Sequence, residues 1–525
     1  MATAPSSATV PPATAPGLAA VPAPDVEPST RLLLGLLLLF ALVPRLVVFA
    51  VNENFYGDAV VRTELAERWL QSPHVIKSYG DGAYQFGPLH VYAVGAALSV
   101  MDREVAGRAV SLLFGVLSVV PLFALTRRLF GWRAGMVAGL AFAAWGMHLQ
   151  FSTTAGSEAV SLFFMLGVFA LYAEAVDENR FSPLFWAAVL LNFACATRYD
   201  AWMYIPLLTV SLVFSSEDKV VALTRAVGFG LVCLPFPLLW MQGNEMAHGD
   251  PFFPIKAVEN FHKQWVADSG GGSIGWRLQQ VGFWPGVALF TLTPGVALLG
   301  IVGMVKAWRE RPETRWLVVA AVVPAAYFTF RAAVLLNFVP LARFTVTQLV
   351  VLPVFVALGF SAVVAGRAAW VRQGVLWLSG VLAVALPVAL GLFTFRAEGG
   401  LRDSLRPVSP TSTNPVAVMQ VARFLKDEVA AKGGAAAIDD DPGYMDLQLA
   451  FFSGLPEMRM ARVRWDTFRQ RLKETQPQVL VRFDQGALVK DAGVRLEGRT
   501  LVLDGVTYEE QDGFSAPLHV YRRRP

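Results

Sequence analysis

Apolar runs of about 17–23 residues recur between Leu32 and Phe395, and nothing else constrains the fold of this chain as strongly. Runs of that length match the thickness of a bilayer's hydrocarbon core, where a lone segment satisfies its backbone polar groups only as a helix. Of the 525 residues 55% are hydrophobic and 16% charged, against about 25% charged in an ordinary soluble protein. The expected fold is therefore an all-α polytopic membrane protein. The net charge of +4 is too small to be a nucleic-acid footprint, so Lys and Arg matter by position. Cys195 and Cys233 both lie in apolar segments and give no disulfide framework.

Residues 1–30 are rich in Ala, Pro, Thr and Ser, a composition that cannot offset the entropy of ordering, and they read as a disordered cytoplasmic tail. Leu32–Val51 follows Arg31 and reads as the first, uncleaved span. The segment after it, 51–105, reads as an outer loop with interfacial helices. Its apolar stretch Pro88–Met101 is too short to cross. With that stretch lying along the interface, Ala106–Leu125 runs inward and delivers Arg127, Arg128 and Arg133 to the cytoplasm. Continuing the count puts Lys219 and Arg225, the basic run Lys306, Arg309, Arg311 and Arg315, and later Arg367 and Arg372 on the same inner side. That is the distribution the positive-inside rule requires. It gives about eleven spans over residues 31–395.

From Arg396 the composition is that of a soluble domain. Helical periods at Pro415–Ala431, Asp446–Phe452 and Asp466–Glu474 alternate with strand patterns at Ala435–Ile438, Val479–Arg482 and Leu518–Arg522. The expectation for 396–525 is a small extracytoplasmic α/β domain.

The same count carries distant polar residues to one membrane face: Asp58, Thr153 to Glu158, Arg198-Tyr199-Asp200, Gly249 to Phe253, and Arg343-Phe344. Carboxylates beside lipid are costly and need a partner or a task. A transporter would hold such groups near the midplane on interrupted helices. Chemistry on a lipid-linked substrate needs them at the headgroup level, where these fall.

Several stretches, taken together and in order, resemble the GT-C superfamily of membrane glycosyltransferases. They are Asp58 after the first span, Pro88-Leu89-His90-Val91-Tyr92, Arg108 leading to Arg127-Arg128-Leu129-Phe130-Gly131, Glu158-Ala159, Ala196 to Trp202, Gly249-Asp250-Pro251-Phe252-Phe253, and Arg343-Phe344 with Pro353. Among its members the chain resembles protein O-mannosyltransferases and the lipid A aminoarabinose transferase. The resemblance covers roughly residues 31–365. It implies transfer of a sugar from a polyprenyl-phosphate donor to a lipid, glycan or protein acceptor at the outer face of a bacterial-type inner membrane, with no nucleic-acid partner. The residue types suit that chemistry. A carboxylate takes the proton of the attacking hydroxyl, and the departing lipid phosphate needs cations or backbone donors. Asp58 is the expected base, with Glu158 orienting the acceptor or tuning it. Arg198, Asp200, Lys256, Arg343, Tyr84 and His90 are the expected contacts to phosphate and sugar. Relatives often pair acidic residues in the first loop, whereas here Gly57 precedes Asp58. A requirement for a divalent cation therefore stays open, and no metal ligands are assigned.

Structural roles compete with each of these. Asp58 also suits a helix N-cap, Glu158 a first-turn position, and Arg198 with Asp200 an interfacial ion pair. Arg45, inside the first span, fits either snorkelling to the headgroups or a position facing Asp58. Phe252, Phe253 and Trp265 suit interface anchors. His74, His90, His248 and His262 show no ligand spacing. Asp439-Asp440-Asp441-Pro442 reads as turn chemistry. The principal alternative function is a lipid or sugar transporter without transfer chemistry.

Overall fold

A computed structural model describes residues 28–52, 55–80, 83–215, 217–396, 405–410 and 414–524. Nearly all of the expected N-terminal tail lies outside them. The described residues between 30 and 396 are mostly helical, and a seven-stranded sheet occupies the C-terminal part.

Among the described residues five helices are long and apolar enough to cross a membrane: Thr30–Val51, Arg103–Phe130, Glu158–Glu178, Pro312–Leu335 and Ala369–Thr394. The number rises to eight when each of three bent helix pairs is taken as one span. The stretch at Pro88 forms an 11-residue helix, Pro88–Leu98. The stretch Pro183–Ala196, one of the eleven spans in the count, falls on a helix of 15 residues, Phe181–Cys195.

The bends have chemical causes. Lys219–Val232 and Pro235–His248 meet at 42°, where Pro235 and Pro237 remove backbone donors. Asn192 on the neighbouring helix closes the gap this leaves. Its Nδ2 donates to the Val232 carbonyl at 2.8 Å, and its Oδ1 accepts the Phe236 N–H at 3.0 Å. Asn192→Leu removes both bonds and is expected to cost about 1–3 kcal/mol for each group left unpaired, read as a lower melting temperature in detergent. The sharpest bend, 119° between Ile274–Thr291 and Thr293–Glu310, falls at Thr293. This residue precedes Pro294 and holds φ at +70°, outside the helical region a pre-proline residue already disfavours.

Helices Thr293–Glu310 and Val351–Val364 cross at backbone contact. A Cβ on Gly359 would lie 1.8 Å from the Leu299 carbonyl oxygen, and one on Gly303 2.0 Å from that of Phe355. Small residues at the crossing substitute packing for the hydrophobic drive that lipid does not supply.

Arg45 does neither of the things expected of it. It is fully buried, donates to the carbonyls of Ala41 and Ala143 and to Ser152 Oγ, and lies 2.8 Å from His148 Nδ1. The bundle interior supplies these partners, so the guanidinium does not reach for the headgroups or for Asp58.

In the C-terminal domain β1 (Ala436–Ile438), β2 (Met460–Arg462) and β3 (Val479–Phe483) run parallel. Then β4 (Val494–Glu497), β5 (Thr500–Leu503), β6 (Val506–Glu510) and β7 (Leu518–Arg523) extend the sheet antiparallel, in the order β2-β1-β3-β7-β6-β5-β4. Strand patterning located β1, β3 and β7 but not β2 or the β4–β6 meander. The short β2, Met-Ala-Arg, carries no β-branched or aromatic residue, and β4 is a largely exposed edge. Asp439 closes the turn after β1 by accepting the N–H groups of Phe483, Leu488 and Asp440. Burial nonetheless pushes its carboxyl up to about 6.

One hydrophobic cluster joins this domain to the first loop. Phe55, Ala59 and Val60 pack with Val418, Leu447, Phe451 and Phe452. Phe55 stacks on Phe451 with ring centroids 4.7 Å apart. Arg462 at the end of β2 is buried and lies 3.7 Å from Glu64 and 3.5 Å from Asp446. The C-terminal part thus packs against the start of the helix Gly57–Gln71.

Candidate active site

Asp58 is the second residue of the helix Gly57–Gln71, whose N-cap is Tyr56. It therefore does not cap the helix, and its carboxylate reaches Arg343 instead: Oδ2 lies 2.5 Å from Nη1. Arg343 sits in the short 3-10 turn Ala342–Thr345, at one of the bent pairs. Its guanidinium packs between the Tyr56 ring at 5.2 Å and the Phe344 ring at 5.4 Å. Chain segments 285 residues apart in sequence meet here.

The second ionic group adjoins the first. Arg198 Nη1 is 3.0 Å from Glu158 Oε1, and its Nε is 3.0 Å from Asp200 Oδ1. Phe344 links the two groups, with the Arg198 guanidinium 5.7 Å from the same ring. Tyr56 links them a second time, donating its hydroxyl to Glu158 Oε2 at 3.0 Å. Burial, and next the Glu158 charge, push the Tyr56 phenol up to about 12, which keeps it protonated as a donor.

Arg62 completes the assembly. It is 5% exposed, lies over the Phe86 ring at 4.3 Å and donates to Tyr56 Oη at 3.4 Å. His90 is buried beside it, and burial followed by the Arg62 charge holds the imidazole down at about 3. His90 is therefore neutral at physiological pH.

Asp58, Glu158, Arg198, Asp200 and Arg343 form one connected set, with His90 at its edge. Tyr84 lies to the side: its carbonyl accepts the Tyr199 hydroxyl at 2.9 Å, and its ring meets Phe253 edge-on. Lys256 is further out, 63% exposed and paired with Asp250 at 2.7 Å. The Gly249–Phe253 stretch packs on the first loop through a Phe253–His248 stack at 3.9 Å and a bond between His248 Nε2 and the Tyr79 carbonyl. Among the described residues no three His, Cys, Asp or Glu side chains gather as metal ligands.

Tyr56 and Arg62 adjoin these residues and were not singled out from the sequence, whereas Phe344 was named there only beside Arg343. Arg62 was within reach, because it follows Asp58 by four residues and one helical turn puts both on one face. Tyr56 carried no such signal.

Comparison with known proteins matches residues 86–240 to the model of the dolichyl-phosphate-mannose-protein mannosyltransferase family. No curated protein sequence matches the chain. Among solved structures, ArnT from Cupriavidus metallidurans bound to undecaprenyl phosphate is similar over 94% of this chain and 97% of its own, at 15% identity and a TM-score of 0.57. The Archaeoglobus fulgidus oligosaccharyltransferase in its apo form is similar over 87% of this chain and 69% of its own, at 11% identity and a TM-score of 0.52. The same archaeal protein in complex with an inhibitory peptide and a dolichol-phosphate is similar at 13% identity and a TM-score of 0.51.

Proposed function

We propose that this chain, which has the fold of the GT-C membrane glycosyltransferases, moves a sugar from a polyprenyl-phosphate donor to an acceptor hydroxyl at the outer face of a plasma membrane. The observation that carries this reading is the Asp58–Arg343 pair at 2.5 Å. It sets a carboxylate able to take a proton beside a cation able to hold a phosphate. Phosphate-bound lipids in the similar structures support the donor class, and the family matched over residues 86–240 supports transfer chemistry.

In this reading the acceptor hydroxyl attacks the anomeric carbon while Asp58 takes its proton. The new bond joins acceptor oxygen to sugar, and the bond from sugar to phosphate oxygen breaks with its electron pair on the phosphate. Arg343 stabilises that charge in a site partly shielded from water. Glu158 and Asp200 hold Arg198, and Tyr56 holds Glu158, so the second ionic group fixes the first through Phe344. The proposed topology has about eleven crossings, the N-terminus cytoplasmic, and residues 396–525 outside, against the loop that carries Asp58.

Purified protein incubated with labelled polyprenyl-phosphate sugars and envelope extract should move label into a lipid, glycan or protein fraction. Label that stays on the carrier with every sugar tried, or merely crosses a vesicle membrane, would support the transporter reading instead.

A further inference from the structure

The site's guanidinium groups are not equivalent. Arg198 is already engaged by both Glu158 and Asp200. Arg62 lies over the Phe86 ring and is 5% exposed. Arg343 differs in two respects. Its pair is the more open one, with side-chain exposures of 19% for Arg343 and 25% for Asp58. It also has a single ion-pair partner among the described residues, Asp58 on Nη1, and its buried Nε finds no hydrogen-bond partner among them. Asp58 therefore occupies one end of a fork built to take two oxygens.

The geometry points to an exchange, and this inference rests on the proposed function. We propose that the Asp58 carboxylate stands on Arg343 in the place of the donor's phosphate, and that the arriving phosphate displaces it. A phosphate offers more charge and more oxygens than one carboxylate end and can span both Nη1 and Nη2 of the guanidinium. Displacement does two things at once. It seats the leaving group on its stabilising cation, and it frees Asp58 Oδ2, which the guanidinium otherwise contests with the acceptor hydroxyl. The donor thus binds first and exposes the base for the acceptor. The proton taken from the hydroxyl rides on Asp58 as the sugar–phosphate bond breaks with its electrons on phosphate. It passes to solvent when the lipid phosphate leaves and Asp58 returns to Arg343.

The exchange makes an unusual demand: deleting the proposed catalytic carboxylate should tighten donor binding, because it removes the competing anion. The test measures equilibrium binding of undecaprenyl phosphate, with undecaprenol as the uncharged reference, to detergent-solubilised full-length protein. Wild type, Asp58→Asn, Asp58→Ala and Arg343→Gln are compared. Both Asp58 variants should bind the phosphate about tenfold tighter than wild type, a difference of about 1.4 kcal/mol, with undecaprenol binding unchanged. Arg343→Gln should lose the preference for phosphate over alcohol. Undecaprenol binding also serves as the check on folding in every variant. Equal or weaker phosphate binding in both Asp58 variants overturns the exchange and leaves the proposed function standing. A wild-type protein that does not distinguish phosphate from alcohol overturns both.

Discussion

Asp58→Asn lowers the rate of sugar transfer by about 10²–10⁴-fold, the usual contribution of a positioned general base, while the protein inserts and folds as wild type. The substitution keeps the side chain's size and an oxygen for Arg343 Nη1, so the Tyr56–Arg343–Phe344 stack is undisturbed. What disappears is the one carboxylate of the site whose partner a substrate can replace. Glu158 cannot substitute for it, because one of its oxygens meets Arg198 and the other accepts the Tyr56 hydroxyl. Asp200 is held on Arg198 as well. Initial rates with a labelled donor, taken at saturating donor because the variant binds it more tightly, isolate the chemical step. A wild-type rate in Asp58→Asn removes Asp58 from the mechanism and leaves the carboxylates of the second group to be tested in turn.

Why Asp58, Glu158, Arg198 and Arg343 were legible in the sequence, and Tyr56 and Arg45 were not, follows from what each does. A charge next to an apolar run is conspicuous because lipid penalises it, and counting crossings then assigns it a face. Those two steps need no knowledge of packing. Arg45 defeats them, because its partners are two carbonyls, a serine and a histidine from the bundle interior, and backbone carbonyls leave no trace in a sequence. Tyr56 is equally silent, since its role depends on a hydroxyl meeting Glu158 across 102 positions. Bent spans were hidden for a related reason. Hydropathy registers apolar length, whereas the bend at Val232–Pro235 comes from its prolines and is satisfied by the Asn192 side chain on another helix. In the terminal domain β1, β3 and β7, which carry Ile, Val or aromatic residues, could be read. The exposed β4 carried too little alternation to be found.

Phe451→Ala should damage catalysis from the far side of the domain boundary. Phe451 is 1% exposed, stacks on Phe55 at 4.7 Å and lies under the Arg103 guanidinium at 4.4 Å. Emptying that space costs about 3–5 kcal/mol, as for other buried Phe→Ala changes. The loss falls on the loop three residues before Asp58. It adds to two contacts that already press the C-terminal domain against the start of the Asp58 helix. A Cβ on Gly57 would sit 3.2 Å from both Tyr444 Cβ and Leu447 Cδ1, and Glu64 faces Arg462. Arg343 belongs to a different part of the bundle, so any shift of the loop moves Asp58 relative to it. A displacement of about 1 Å in such a pair can reduce turnover about 10²-fold. The expected result is a lower melting temperature in detergent together with a fall of about that size in kcat, partly restored in Phe451→Leu. A lowered melting temperature with kcat unchanged would assign the aromatic contact to stability alone. It would also show that the bundle, without help from the terminal domain, holds Asp58 against Arg343.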